Sequence, residues 1–159
     1  MIGFAAGLAG GLIAFLVSSA ARLGAPKARF GARAAIARFG VTARAAAAVV
    51  HGDTVYLSGQ VGVVDADGTL HGDVKQQTRE ALAKIDALLA ECGTTKAHLL
   101  STQIWVKSIA DHFAPVNEVW NDWVRDPRDR RGVRACVESA MARPSIFVEV
   151  QVTAALPPG

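Results

Sequence analysis

At 159 residues, with 51% hydrophobic and 19% charged residues, the chain is sized for one domain, and intrinsic disorder is excluded. The two cysteines, Cys92 and Cys136, cannot build a disulfide framework. Neither they nor the four histidines (His51, His71, His98 and His112) have metal-ligand spacing, so neither a metal nor another cofactor is expected. The net charge of +3 arises in the first 45 residues, where six basic residues meet no acid. The remainder carries 11 basic and 14 acidic residues, without the clustered cations that nucleic-acid binding needs.

Residues 1–21 are uncharged, close to the ~20 residues a helix needs to cross a bilayer, although Gly and Ala fill about half of them. Three readings compete. One is a membrane anchor, whose following cations (Arg22, Lys27, Arg29 and Arg33) would keep the domain in the cytoplasm. Another is a secretory signal, which here lacks a basic n-region. The third is a disordered arm or a start-site artefact. The domain's own pattern begins near Ile36, so residues 1–34 read as an extension and 35–156 as the domain. A cytoplasmic location is expected, with a membrane-tethered cytoplasmic domain as the alternative.

Two short strands, 46–50 and 54–58, flank a turn at His51-Gly52-Asp53. Gly59 closes the second, where the missing Cβ admits a close approach. After a turn-rich loop at 65–68, Asp73 can N-cap a helix that ends at Gly93. Its apolar face holds Val74, Thr78, Ala81, Leu82, Ile85, Leu88, Leu89 and Cys92, and its other face Lys75, Arg79, Lys84 and Glu91. A strand over 100–107 alternates Thr102, Ile104 and Val106 against Ser101, Gln103 and Trp105. A second helix over 111–124 has Phe113, Val116, Trp120 and Trp123 as its stripe. A charged loop at 126–132 leads to two last strands, 133–139 and 146–154. The order β-β-α-β-α-β-β predicts an α+β layer with both helices on one face of a single sheet. The other face is expected to hold Val137, Val148, Val150 and Val152 or their alternates. Such a face is too apolar to stay wet, which predicts a closed homo-oligomer.

Three stretches resemble the RidA/YjgF family in order and spacing: Ser58-Gly59-Gln60, the run from Phe113 to Trp123, and VRACVES (133–139) followed by FVEV (147–150). Arg38-Phe39 matches the Arg-aromatic start of its small RidA-like members. The resemblance spans roughly residues 36–156. It implies a chorismate-mutase-like α+β fold, a homotrimer with sites in clefts between subunits, and hydrolysis of reactive 2-imino acids to 2-keto acids and ammonia. It places Arg134 on the family's carboxylate-binding arginine, Cys136 on its cysteine, and Glu149 on the acidic residue of the last strand. Ser58 and Gly59 fall on the SGQ strand, and Asn117 on the asparagine of the second helix. One departure bears on substrate range: the pocket-lining N-terminal tyrosine has no counterpart in TARAAAA (42–48).

Each of these residues also has a plainer reading. Arg134 either holds an anionic substrate through its planar fork or forms a structural salt bridge with Glu138 or Glu149. Glu149 either faces solvent by alternation or sits in a cleft, where it would deprotonate the attacking water and pass a proton to the departing ammonia. Cys136 is either a catalytic thiol or, since no nearby histidine would activate it, a small buried hydrophobe of its strand that contributes its backbone to a pocket. Ser58 lacks a GxSxG context, which leaves it hydrogen bonding to substrate. Asn117 is a pocket residue or a solvated helix position, Cys92 is core, and the histidines are surface residues. Imine hydrolysis needs only a carboxylate anchor, a positioned water and a proton carrier, which Arg134 and Glu149 can supply. The sequence therefore reads as a metal-independent imine deaminase acting on a small carboxylate-bearing imine. The alternative is a non-catalytic trimeric module that binds a metabolite or a partner protein. Nuclease activity ranks third.

Overall fold

The computed structural model of the chain describes residues 35–126 and 132–158. The N-terminal extension and most of the charged loop lie outside the described residues. The elements are β1 (Ile36–Phe39), β2 (Ala48–His51), β3 (Thr54–Leu57), α1 (Val74–Glu91), β4 (Leu99–Val106), α2 (Ile109–Trp123), β5 (Val133–Glu138) and β6 (Val148–Ala155). The six strands form one sheet in the order β1-β2-β3-β6-β4-β5. Only the β4–β5 pair is parallel. Both helices lie on one face, as an α+β layer of the chorismate-mutase-like kind.

Strand β1 was not expected from the sequence. It pairs with β2 from Ile36↔His51 to Phe39↔Ala48. Gly40, at φ +56°, turns the chain back, and the Ala47 N–H donates to Phe39 O at 2.9 Å, so β2 begins at Ala48 rather than at 46. A four-residue edge strand next to an alanine run has too little periodicity to be seen in the sequence.

Helix α1 forms as its signals predict. Asp73 accepts from the Gln76 N–H, and Gly93 follows the helix at φ +82°. Its expected apolar face is buried apart from the half-buried Leu88, and so is Gln77, which the pattern does not single out. Helix α2 starts at Ile109 rather than 111, because the Ser108 hydroxyl accepts from the Asp111 N–H and caps the turn before. The α2 residues that enter the core are Val116, Val119, Trp120 and, at the helix end, Val124. Phe113 does not belong to that stripe and is 43% exposed.

The alternation of β4 is as predicted: Thr102, Ile104 and Val106 are buried beneath the helices. The expectation for the open face is corrected. Val148, Val150 and Val152 point into the core, because the parity of β6 that carries valines is the one that gains most by burial under the helices. Their alternates Glu149, Gln151 and Thr153 occupy the open face beside Ser101, Gln103 and Trp105. Of the four valines named, only Val137 lies there, 43% exposed. The open face is therefore polar along its centre and apolar at its flanks. Val133 and Val137 lie on one flank, Ile36 and Tyr56 on the other. Two histidines also depart from expectation. His98 is half-buried, and so is His112, whose ring packs 5.2 Å from that of Phe147. Among the described residues, no helix is long and apolar enough to cross a membrane.

Candidate functional site

The residues singled out from the sequence fall into two groups on opposite faces of the sheet. The first lies at the β5 edge. Arg134 pairs with Thr102 and Cys136 with Ile104, so both side chains point to the helix-covered side. The Arg134 guanidinium carbon sits 4.9 Å from the centroid of the Trp120 ring. That face-on contact suits a cation but leaves the in-plane N–H groups without acceptors. Its Nε and Nη2 are buried and have no hydrogen-bond partner. Burial is the main cause of a lowered pKa for Arg134, yet an arginine stays charged.

The salt-bridge reading of Arg134 is not realised. Glu138 Oε2 instead accepts from the Ile109 N–H at 2.7 Å, and Glu149 lies on the other face. Burial pushes the Cys136 thiol upward against the opposing pull of Arg134, so the group is a thiol at neutral pH and a poor nucleophile. Asn117 is half-buried, one helical turn before Trp120. Among the described residues, β5 is an edge strand and pairs only with β4, which leaves its outer backbone donors and acceptors without a strand partner.

The second group surrounds Glu149, which pairs with Trp105 on the open face. The Ser58-Gly59-Gln60 segment is laid against β6 by reciprocal bonds between Gln60 and Val150, at 2.8 and 2.9 Å. Gln60 Nε2 donates to both the carbonyl and the hydroxyl of Ser58, each at 3.1 Å. Gly59 lies directly against the carboxylate: a Cβ there would stand 1.8 Å from Glu149 Oε1. A pocket of about 160 Å³ adjoins the carboxylate, lined by Trp105, Ser139, Ala140, Met141, Ala142 and Glu149.

Several supporting residues escaped the sequence reading. Lys84 donates to Val61 O and Gly62 O, and Glu80 accepts from the Val63 N–H at 2.7 Å, so α1 holds the loop that follows Gln60. Gln77 donates to Ser145 O and accepts from the Phe147 N–H, both at 2.9 Å, which ties the β5–β6 connection to α1. Their only sequence signal is a polar residue within or beside an apolar stripe. A larger groove of about 390 Å³ runs between the helices, away from both groups. Its polar walls already bond one another, with Trp123 Nε1 donating to Asp86 and Lys96 donating to Trp123 O.

Arg134 and Glu149 cannot meet within one chain. Their β4 partners, Thr102 and Trp105, are three residues apart and therefore on opposite faces. Two strand spacings and three residues add ~10 Å in each direction. A head-to-tail contact between copies could bring the β5 edge of one to the Glu149 face of the next.

The family model described as Endoribonuclease L-PSP matches residues 35–156. A RutC family protein of Haemophilus ducreyi is 31% identical over 121 residues, covering 76% of this chain and 97% of the relative. Escherichia coli TdcF, provisionally named a reactive intermediate deaminase, is 25% identical over 103 residues, covering 65% of this chain and 79% of its own. The crystal structure of a YjgF-family protein of Neisseria meningitidis superimposes with a TM-score of 0.72 at 37% identity, covering 80% of this chain and 100% of that one.

Proposed function

This chain belongs to the RidA/YjgF family, and from that premise we propose that it hydrolyses reactive 2-imino and enamine acids to 2-keto acids and ammonia, at sites shared between the subunits of a cytoplasmic homotrimer. The observation that carries the proposal is Arg134, a guanidinium at a sheet edge with Nε and Nη2 buried and unbonded. A buried donor without an acceptor costs ~1–3 kcal/mol, more when charged, and a substrate carboxylate supplies the missing acceptors bidentately. The name of TdcF points the same way. The acidic balance of residues 46–159 favours a small molecule over RNA.

A ring suits the split site. The apolar flanks of the open face differ, with Val133 and Val137 on one side and Ile36 and Tyr56 on the other, which fits a closed head-to-tail interface. Arg134 of one subunit then anchors the carboxylate, and the outer backbone of β5 around Cys136 lines the anchor. Asn117, beside Trp120, completes that wall. Glu149 of the neighbour takes a proton from water as the oxygen adds to the imine carbon. That proton passes to nitrogen to give the carbinolamine. Glu149 then takes the carbinolamine's hydroxyl proton and hands it to the amine, so that the C–N bond breaks and ammonia leaves as the C=O forms. Ser58, held by Gln60, offers a hydroxyl to the same centre. No step requires a covalent enzyme intermediate.

The test generates 2-iminopropanoate or 2-iminobutanoate with an amino-acid oxidase or a dehydratase and follows keto-acid release. Acceleration by the wild type, reduced on the order of a hundredfold in kcat/KM by Arg134→Ala, supports the reading. No acceleration on either imine, with 2-keto acids still bound, would favour a binding module instead.

A further inference from the structure

We propose that Trp120 is the positioning residue of the carboxylate anchor: its indole face holds the Arg134 guanidinium so that the N–H groups stay open to substrate. The proposal rests on the anchor of the deaminase reading and adds to it how that anchor is kept ready. A buried arginine is ordinarily fixed by a carboxylate, which would take the same N–H groups that a substrate needs. Here the two candidate carboxylates are engaged elsewhere. Glu138 accepts from the Ile109 N–H, and Glu149 lies on the other face of the sheet. A contact through the π face engages the plane of the cation and leaves its in-plane donors unoccupied. Arg134 has that contact, with its Cζ 4.9 Å from the Trp120 ring centroid. Its Nε and Nη2 are buried without a partner among the described residues.

The ring that holds the arginine is itself held. Helix α2 packs over β4 and β5, and Val116 and Trp120, one turn apart, are both buried on its sheet-facing side. Trp123 packs against Trp120, with ring centroids 5.2 Å apart at an interplanar angle of 56°. The Trp123 indole N–H donates to Asp86 of α1 at 2.8 Å. Lys96 donates to the Trp123 carbonyl at 2.6 Å and lies 5.2 Å over its ring. The Trp120 ring therefore has little room to turn, and a guanidinium stacked on it keeps one plane. Packing alone asks only for bulk at position 120, whereas holding a cation asks for a π face.

The experiment measures binding of 2-oxobutanoate to the full-length protein by titration calorimetry, beside hydrolysis of 2-iminobutanoate. Tryptophans carrying successively more fluorine atoms are placed at position 120 by nonsense suppression, which weakens the ring's negative face and keeps its shape. Affinity is expected to fall stepwise along that series, by about tenfold at its end. Trp120→Phe and Trp120→Met remove similar bulk, but only phenylalanine keeps a ring face. The methionine variant is expected to lose about tenfold or more in affinity and the phenylalanine variant about threefold. The loss in imine hydrolysis should appear in KM more than in kcat, as expected for a contact made in both ground and transition states. In the Arg134→Ala background the same changes should add no further loss in kcat/KM, because Trp120 acts through the arginine. Affinity unmoved by fluorination, an equal loss in the phenylalanine and methionine variants, or a further loss in the Arg134→Ala background overturns the role of Trp120 while leaving deamination intact. A wild type that binds 2-oxobutanoate but accelerates no imine overturns the deaminase reading alone. A wild type that binds no keto acid overturns the anchor, and this inference with it.

Discussion

Gly59→Ala separates the catalytic role of Glu149 from any part it has in the fold. Gly59 has no positive φ, so the backbone accepts alanine without strain. The new Cβ would stand 1.8 Å from Glu149 Oε1, 2.7 Å from Cδ and 3.0 Å from Cγ, and no backbone atom is among these nearest neighbours. The carboxylate must swing aside. An off-rotamer arrangement costs ~0.5–1.5 kcal/mol, and alanine returns ~0.4–1 kcal/mol by restricting the unfolded chain. Net stability should therefore change by less than about 1 kcal/mol. Activity should not be spared, because a misplacement of ~1 Å can cost on the order of a hundredfold in rate. Steady-state kinetics on 2-iminopropanoate should show that loss mainly in kcat. Glu149→Gln should show a comparable loss, and the double variant little more than either single one. Wild-type kcat in a folded Gly59→Ala protein would refute the assignment of Glu149 as the proton carrier.

Other consequences follow from the same geometry. Arg134→Lys should recover little of the activity lost in Arg134→Ala, because an ammonium keeps the charge without the fork; full kcat/KM in the lysine variant would contradict bidentate anchoring. Gln77→Leu should lower stability by about 3 kcal/mol in urea unfolding at fixed protein concentration, since it orphans Ser145 O and the Phe147 N–H; an unchanged midpoint would contradict this. Both cysteines should react sluggishly with iodoacetamide at pH 7.4. Burial pushes the Cys92 thiol up to about 11 and raises that of Cys136, so the rate at each should climb only above the ordinary thiol range. Rapid alkylation of Cys136 at neutral pH would reopen its candidacy as a nucleophile.

Much of this architecture is legible in the residues because the elements that build it carry strong local signals. Asp73 and Gly93 bracket α1, and the alternation of β4 sorts Thr102, Ile104 and Val106 from Ser101, Gln103 and Trp105. What escaped depended on tertiary context. The four residues of β1 make sense only as partners of β2. The valines of β6 alternate regularly, but which parity meets the helices is decided by what packs above them, so the sequence leaves both parities open and its expectation of an apolar open face fails. Gln77 sits within an apolar stripe and is kept there by two backbone groups nearly seventy residues away, a relationship no local pattern encodes. At the candidate site, the identities of Arg134 and Glu149 are visible from motif and alternation. Their opposition across the sheet is a matter of register, and it makes a site within one chain geometrically impossible.

The most direct test of a shared site is complementation between two inactive variants, Arg134→Ala and Glu149→Gln. Each is assayed alone, and the two are then unfolded together, refolded at equal amounts and assayed as a mixture. In a head-to-tail trimer, a subunit that retains Arg134 can neighbour one that retains Glu149, and random assembly restores about a quarter of the wild-type sites. The account predicts that activity reappears in the refolded mixture, close to that fraction, and stays absent when the variants are mixed without unfolding and exchange. A refolded mixture of mixed trimers as inactive as its parents would contradict it.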